Sequence, residues 1–247
     1  MARLYKTEAV VLRTIRFGEA DAVLHLYTLA RGRVGAVAKG VRKTKSRFGA
    51  RLEPLSHVQL LLHQGGGELQ TVTGADLVRS HREAREDSYR LGVALVGAEA
   101  MLRLFSEQEG NPRAFEAVTR FLDAADALET RPQTPPRLDP LALSFQLKLL
   151  WLSGYLPHLD SCAECGTAPP LLGYLARAGG AVCNACAEEG AVALAPGTFA
   201  AIGGLLRRPL ADAHEAGVDE RSARETLAAI VAAYEYHGGF RLRTLSA

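Results

Sequence analysis

Residues 9–27 read AVVLRTIRFGEADAVLHLY. Two runs of β-branched and apolar residues, 9–15 and 23–27, flank a polar centre with Gly18 in it, and Gly18 suits a tight turn. This is the pattern of a β-hairpin. Three more short runs follow at 32–38, 57–63 and 69–72. Turn residues separate them: Arg31-Gly32, Gly40 and Gly65-Gly66-Gly67. Five short strands with regular turn signals predict a small closed β-barrel. Both an OB-fold and an SH3-like barrel satisfy this pattern.

From about Ser80 the apolar period lengthens. Leu91, Leu95, Ala98, Met101, Leu102 and Phe105 recur at helical spacing. Gly110-Asn111-Pro112 ends that element, and a second helix is expected over 113–128 with Phe115, Val118, Phe121 and Leu122 inward. Pro132, Pro135, Pro136 and Pro140 mark a loop. The run 141–152 is apolar nearly all round, so it is expected to be a buried central helix holding Phe145 and Trp151. Two further helices are expected over 198–207 and 221–236. The fold class expected is α+β multidomain. Residues 1–79 form an N-terminal five-stranded barrel, 80–157 a helical domain, 158–190 a metal module and 191–247 the helices that complete the helical domain.

The four cysteines fall in two pairs, Cys162-Ala-Glu-Cys165 and Cys183-Asn-Ala-Cys186, with seventeen residues between the pairs. Two C-x-x-C pairs at this separation predict one structural zinc ion held by Cys162, Cys165, Cys183 and Cys186. A two-residue gap lets both sulfurs of a pair face one ion, and the segment between the pairs reads as a hairpin turning at Gly179-Gly180. Two disulfides are the competing pairing, and the cytosolic location expected below argues against them. Four thiolates leave no open coordination position, so the site is expected to do no chemistry. His158 and His237 are read as ordinary histidines, because four cysteines already saturate the ion.

The 247-residue chain has a formal net charge of only +2, but that charge is unevenly spread. Residues 1–55 hold twelve Lys or Arg against four acids, which is +8 and leaves −6 for the remainder. The densest segment is 39–51, where Lys39, Arg42, Lys43, Lys45, Arg47 and Arg51 occur with no acid among them. A basic loop following a barrel strand suits a polyanion, and counterion release drives such binding. Arg13, Arg16, Arg31 and Arg33 lie on or beside the expected strands and would extend the patch. Phe48 is a candidate for stacking on a base. Phe17 and Tyr27 are read as packing residues, and Glu19 and Asp21 as solvated turn residues. No phosphate-loop, nucleophile-elbow or H-E-x-x-H motif occurs, so no enzyme activity is expected. The N-terminus MARLYKTEAV shows no leader, and no apolar run reaches eighteen residues. The expected location is cytoplasmic, with no membrane partner.

Three stretches carry a resemblance to a known family. They are TEAVVLRTIRFGEAD followed by LYTLARGRVGAVAKGVRKTKSR, then LLWLSGYLPHLDSCAECG, then GGAVCNAC. In this order the chain resembles the RecO family of bacterial recombinational DNA-repair proteins over essentially its whole length. The resemblance implies an OB-fold first domain and a helical domain carrying a zinc module. It implies binding of single- and double-stranded DNA, strand annealing at the nucleoid, and work with RecR in the RecF pathway. It also implies loading of RecA onto strands coated with single-stranded-DNA-binding protein. By position, Lys39, Arg42, Lys43, Lys45 and Arg47 are the implied DNA contacts. The alternative is an RNA- or ribosome-associated zinc-ribbon protein.

Overall fold

The structure, a computed structural model, describes residues 3–105, 109–131 and 133–246. Pro132 of the expected proline loop lies outside these. The chain divides into two compact units, one of residues 1–94 with 101–128 and one of 95–100 with 129–247.

The first unit is built on five strands: β1 Arg3–Phe17, β2 Asp21–Thr28, β3 Gly32–Ala38, β4 His57–Gln64 and β5 Gln70–Arg79. They close in the order β1-β2-β3-β5-β4. All neighbours are antiparallel except β3 and β5, which run parallel at Ala36–Gln70 and Val37–Thr71. This is the five-stranded ring of an OB-fold, and it removes the SH3-like alternative. Alternation along the strands sends Leu24, Leu26, Val34, Ala36, Leu60, Leu62 and Val72 into one core. β5 runs seven residues past the expected end at Val72, because Gly74 lets it stay paired with β4. A Cβ at Gly74 would stand 3.3 Å from the Cβ of Leu61.

The long strand β1 does two jobs. Its first half pairs with β4 and its second half with β2. A β-bulge between Val11 and Arg13 separates the halves. Ala9 and Val11 point into the barrel core. Past the bulge the phase is reset, and Arg13, Ile15 and Phe17 share the outward face of His25, Val23 and Asp21. Phe17 is 55% exposed, against the expectation that it packs. Tyr27 does pack: it is buried, with its ring 5.6 Å from that of Phe105.

Three helices belong to this unit in whole or in part: α1 Arg82–Glu86, α2 Ser88–Leu104, whose residues 95–100 count with the second unit, and α3 Pro112–Asp126. Asp87 caps α2 by accepting from the amides of Tyr89 and Arg90. Asn111 caps α3, with Pro112 in its first turn. Along α3 the buried residues include Phe115, Val118, Phe121 and Leu122, as their spacing predicts. The ring of Phe115 lies 5.6 Å from that of His57 on β4, so α3 covers that part of the barrel's outer surface. Leu95 of α2, expected inward, is 40% exposed, and the burial is carried by Val93, Ala94, Val96, Ala98 and Met101. These occupy more than one side of the helix, so the single stripe read from the sequence is too narrow.

The second unit is centred on α4, Pro140–Leu152. Every residue from Leu141 to Leu147 is buried, so the central helix holds as expected. Burial continues through Leu149 and Leu150, and Trp151, next to the last residue of the helix, departs from the expectation at 51% exposed. On α4, Ser144 Oγ and Lys148 Nζ both donate to the carbonyl of Leu205, at 2.9 Å each. They satisfy the otherwise unpaired C-terminal end of α5, Pro196–Arg207. Burial lowers the pKa of Lys148. The last helix is α6, Glu220–Ala233, which runs on through a wider turn and stops at Gly239 with φ +67°. A 3-10 segment at Leu210–Ala216 was not expected. Its His214 meets the buried capping residue Asp139 at 3.2 Å. Among the described residues, no helix is long and apolar enough to cross a membrane.

Candidate nucleic-acid interface and metal centre

The basic connection of residues 39–51 is a series of turns ending in a 3-10 turn at Gly49–Leu52. It is tied to the β1–β2 hairpin. The amide of Gly40 donates to Asp21 Oδ1 at 2.7 Å, and the amide of Arg42 donates to the carbonyl of Ala20 at 2.9 Å. The guanidinium of Arg42 reaches the carbonyl of Gly18 at 3.3 Å. Asp21 is therefore an anchor rather than a merely solvated turn residue. The only hint in the sequence was an Asp beside a glycine turn.

Phe48 is 2% exposed and packs with Leu52 in the barrel core. That burial excludes it as a base platform and makes it the inner anchor of the loop. Pinned at both ends, the segment holds its cations outward. Lys39, Arg42, Lys43, Lys45, Arg47 and Arg51 are all exposed to solvent in whole or in part. The Arg47 guanidinium lies 4.7 Å from the Phe48 ring centroid, and Arg51 donates to the carbonyl of Arg47 at 2.9 Å. Arg13 and Arg16 are exposed near the end of β1, on opposite faces by register. Arg31 sits over the ring of Tyr5 at 4.1 Å and donates to Gln64. Arg33 is half-buried and donates to the carbonyl of Leu102.

The candidate metal centre lies on a small sheet in the second unit. Its strands are β6 Gly173–Leu175, β7 Gly180–Val182 and β8 Val192–Ala193, in the order β7-β6-β8. The expected hairpin is present, with Gly179 at φ +69° in its turn. Gly180 passes so close to His158 that an added Cβ would stand 2.4 Å from its carbonyl oxygen. The ligand atoms of Cys162, Cys165, Cys183 and Cys186 all lie within 4.8 Å of one another. The Cys165 and Cys183 sulfurs are 3.7 Å apart. A tetrahedral ion with metal–sulfur bonds of about 2.3 Å sets its sulfurs about 3.8 Å apart.

Backbone amides prepare the thiolates. The amides of Cys165 and Cys183 are aimed at the Cys162 sulfur and bring its thiol down to about 6. Hydrogen bonding to Cys165 and Cys183 pushes Cys186 up to about 12. Four thiols so close together resist shedding all their protons, and a cation resolves the conflict. The cluster is thus positioned to hold a metal ion. The two histidines lie elsewhere: His158 bonds to Ser161 at 2.8 Å, and His237 stacks on Tyr155 with centroids 4.5 Å apart.

Comparison with known proteins covers both units. Residues 1–81 match the family described as "Recombination protein O N terminal", and residues 85–246 match "Recombination protein O C terminal". Among similar proteins, one from Rubrobacter xylanophilus is 39% identical over 94% of this chain and 92% of its own length. One from Frankia casuarinae is 40% identical over 98% of this chain and 97% of its own length. One from Thermobifida fusca is 36% identical over 94% of this chain and 92% of its own length. All three are named DNA repair protein RecO.

Proposed function

The chain belongs to the recombination protein O family of DNA repair proteins, and from that premise we propose that it is a non-enzymatic recombination mediator of the RecF pathway. In this reading it acts in the cytoplasm at the nucleoid and binds single- and double-stranded DNA. It anneals complementary strands and works with RecR to load RecA onto strands coated with single-stranded-DNA-binding protein. Family membership lends no support to an RNA- or ribosome-associated role.

The observation that carries the DNA reading is the basic connection, pinned inside by Phe48 and outside by Asp21, with its cations in solvent. Lys39, Arg42, Lys43, Lys45 and Arg47 neutralise phosphates there, and Arg13 and Arg16 extend the field along β1. Arg33, half-buried with its guanidinium on the Leu102 carbonyl, adds positive potential more than a direct contact, and exposed Arg51 extends the row of cations. Annealing then needs no catalytic group. Two strands repel through their phosphates, and a protein that screens both lowers that barrier until the bases pair.

The metal of this reading is one structural zinc ion on Cys162, Cys165, Cys183 and Cys186. An all-thiolate tetrahedral set suits zinc, leaves it no open position, and supplies folding energy to the module.

The test is replacement of Lys43, Lys45 and Arg47 by Ala in the full chain. Binding to DNA should weaken across sequences, and annealing should slow. The slope of log K against log salt should fall by about 0.7 for each single-strand phosphate that the variant no longer neutralises. An unchanged slope would remove the assignment.

A further inference from the structure

We propose that Thr44 is a phosphorylation site, at which an ATP-dependent serine/threonine kinase that prefers basic flanks turns off the DNA-binding loop. The inference rests on the DNA-binding reading above and adds to it a means of control.

The backbone is the first observation. The amide of Lys43 donates to the carbonyl of Gly40 at 3.2 Å, that of Ser46 to Lys43 at 2.9 Å and that of Gly49 to Ser46 at 3.3 Å. The loop is thus three successive turns. Thr44 and Lys45 are the two central residues of the middle one, and central residues form the tip of a turn. The anchors Asp21 and Phe48 hold the chain on either side of this tip, and residues 43–47 take no part in the barrel core.

The hydroxyls supply the second observation. Residues 39–51 contain two, on Thr44 and Ser46. Ser46 is half-buried, and its Oγ accepts the Phe48 amide at 3.2 Å. Thr44 is exposed, and among the described residues its hydroxyl has no hydrogen-bond partner. A kinase takes the acceptor and a few flanking residues into its cleft. The free tip allows that, whereas the engaged serine would have to break its contact first.

Charge names the class of enzyme. Arg42 and Lys43 precede Thr44, Lys45 and Arg47 follow it, and no acid occurs between residues 39 and 51. Such flanks complement a substrate groove lined with carboxylates. In the transfer, Thr44 Oγ1 bonds to the γ-phosphorus of ATP as the bond from that phosphorus to the bridging oxygen breaks. ADP leaves, and the hydroxyl proton passes to the catalytic aspartate of the kinase.

The product acts where it forms. A phosphothreonine carries about −1.5 to −2 charge at neutral pH. Six cations give residues 39–51 a charge of +6, which the modification lowers to about +4. The new dianion stands between Lys43 and Lys45, and its oxygens accept strong charge-assisted hydrogen bonds from such groups. Each cation engaged within the loop is one fewer for a DNA phosphate, and the added anion repels the DNA backbone. An unmodified threonine is neutral and leaves the loop its full charge.

The experiment incubates the full-length protein and its Thr44→Ala and Ser46→Ala variants with radiolabelled ATP and a purified serine/threonine kinase selective for basic flanks. Label should enter the unaltered chain and Ser46→Ala, map to Thr44 by mass spectrometry, and be lost in Thr44→Ala. Binding is then measured to fluorescein-labelled oligo-dT and to a fluorescein-labelled duplex. Phosphorylation should weaken both by about 10-fold or more at about 0.1 M salt, and lower the single-strand salt slope by about 1.4, two contacts at about 0.7 each. Phosphatase treatment should restore binding. Unphosphorylated Thr44→Ala should bind and melt as the unaltered chain does, which separates the modification from any folding defect. Label chiefly at other residues would overturn the proposal, as would full phosphorylation of Thr44 with unchanged DNA binding. If either occurs while the Lys43, Lys45 and Arg47 variant still loses DNA, the proposed control alone has failed. If the unmodified chain binds neither probe, the DNA-binding reading has failed.

Discussion

His81 Nδ1 lies 2.7 Å from the carbonyl oxygen of Leu55, and both residues sit in left-handed backbone, at φ +45° and +68°. Non-glycine residues in this region carry strain, and these two are held there by burial. Leu55 is fully buried and His81 is 2% exposed. The other ring nitrogen of His81 meets Asp123 on α3 at 3.1 Å. One imidazole therefore joins the segment before β4 to the start of α1 and to α3. We predict that His81→Ala destabilises the first unit by about 2–3 kcal/mol, because the Leu55 carbonyl is left buried without this partner. Denaturant unfolding followed by circular dichroism measures it. A loss under about 0.5 kcal/mol would show that the joint is dispensable.

Phe48 and Phe17 should behave oppositely. Phe48→Ala empties a place in the barrel core and should cost about 3–5 kcal/mol. Phe17→Ala removes an exposed ring and should change stability by no more than about 0.5 kcal/mol. Thermal melts of the two variants side by side give the comparison. A destabilised Phe17→Ala would mean that its ring packs in solution.

Cys162→Ser should remove the metal and damage the second unit first. The Cys162 sulfur receives the Cys183 amide at 3.4 Å, so the change strikes both pairs. Zinc content, read with a colorimetric chelator after denaturation, should fall from one ion per chain to near zero, and the melting temperature should drop. On the proposed reading DNA affinity resides in the barrel, so it should survive. A folded, metal-free variant that had lost DNA binding would sink this division of labour.

Glu225 gives a pH prediction. Burial raises its pKa, but hydrogen bonds from Thr198, the Ala195 amide and Arg221 outweigh that and lower it. These bonds place a carboxylate at the start of α5, whose N-cap, Ala195, supplies no side-chain acceptor. A depressed carboxylate stabilises the fold above its ordinary pKa of 4.5, and that contribution is lost as pH falls through the folded value. Glu225→Gln should therefore cost about 1–2 kcal/mol at pH 7 and progressively less below about pH 4. Melts of both proteins from pH 7 to pH 3 test the sign. A constant difference across that range would refute it.

Much of the architecture is legible in the amino-acid sequence. Period-two runs, glycine turns and the C-x-x-C pairs are local signals, and local sterics dictate what they become. The strands, most helices, the hairpin at Gly179 and the four-cysteine set follow from spacing alone. The charge of residues 39–51 is equally plain, since it needs only counting. Burial is harder to read, because it depends on which surfaces meet. Trp151 and Leu95 belong to apolar runs, yet each extends past its neighbours into solvent. Phe48 stands among cations, yet it folds back into the barrel. The β1 bulge is the sharpest case. One extra residue between Val11 and Arg13 reverses the face of every side chain after it, and no residue type there announces it. Sequence alone determined that the chain holds a barrel, a helical part, a four-cysteine cluster and a basic loop. Tertiary structure decided which side chains reach solvent, because strand register is settled by pairing with distant residues.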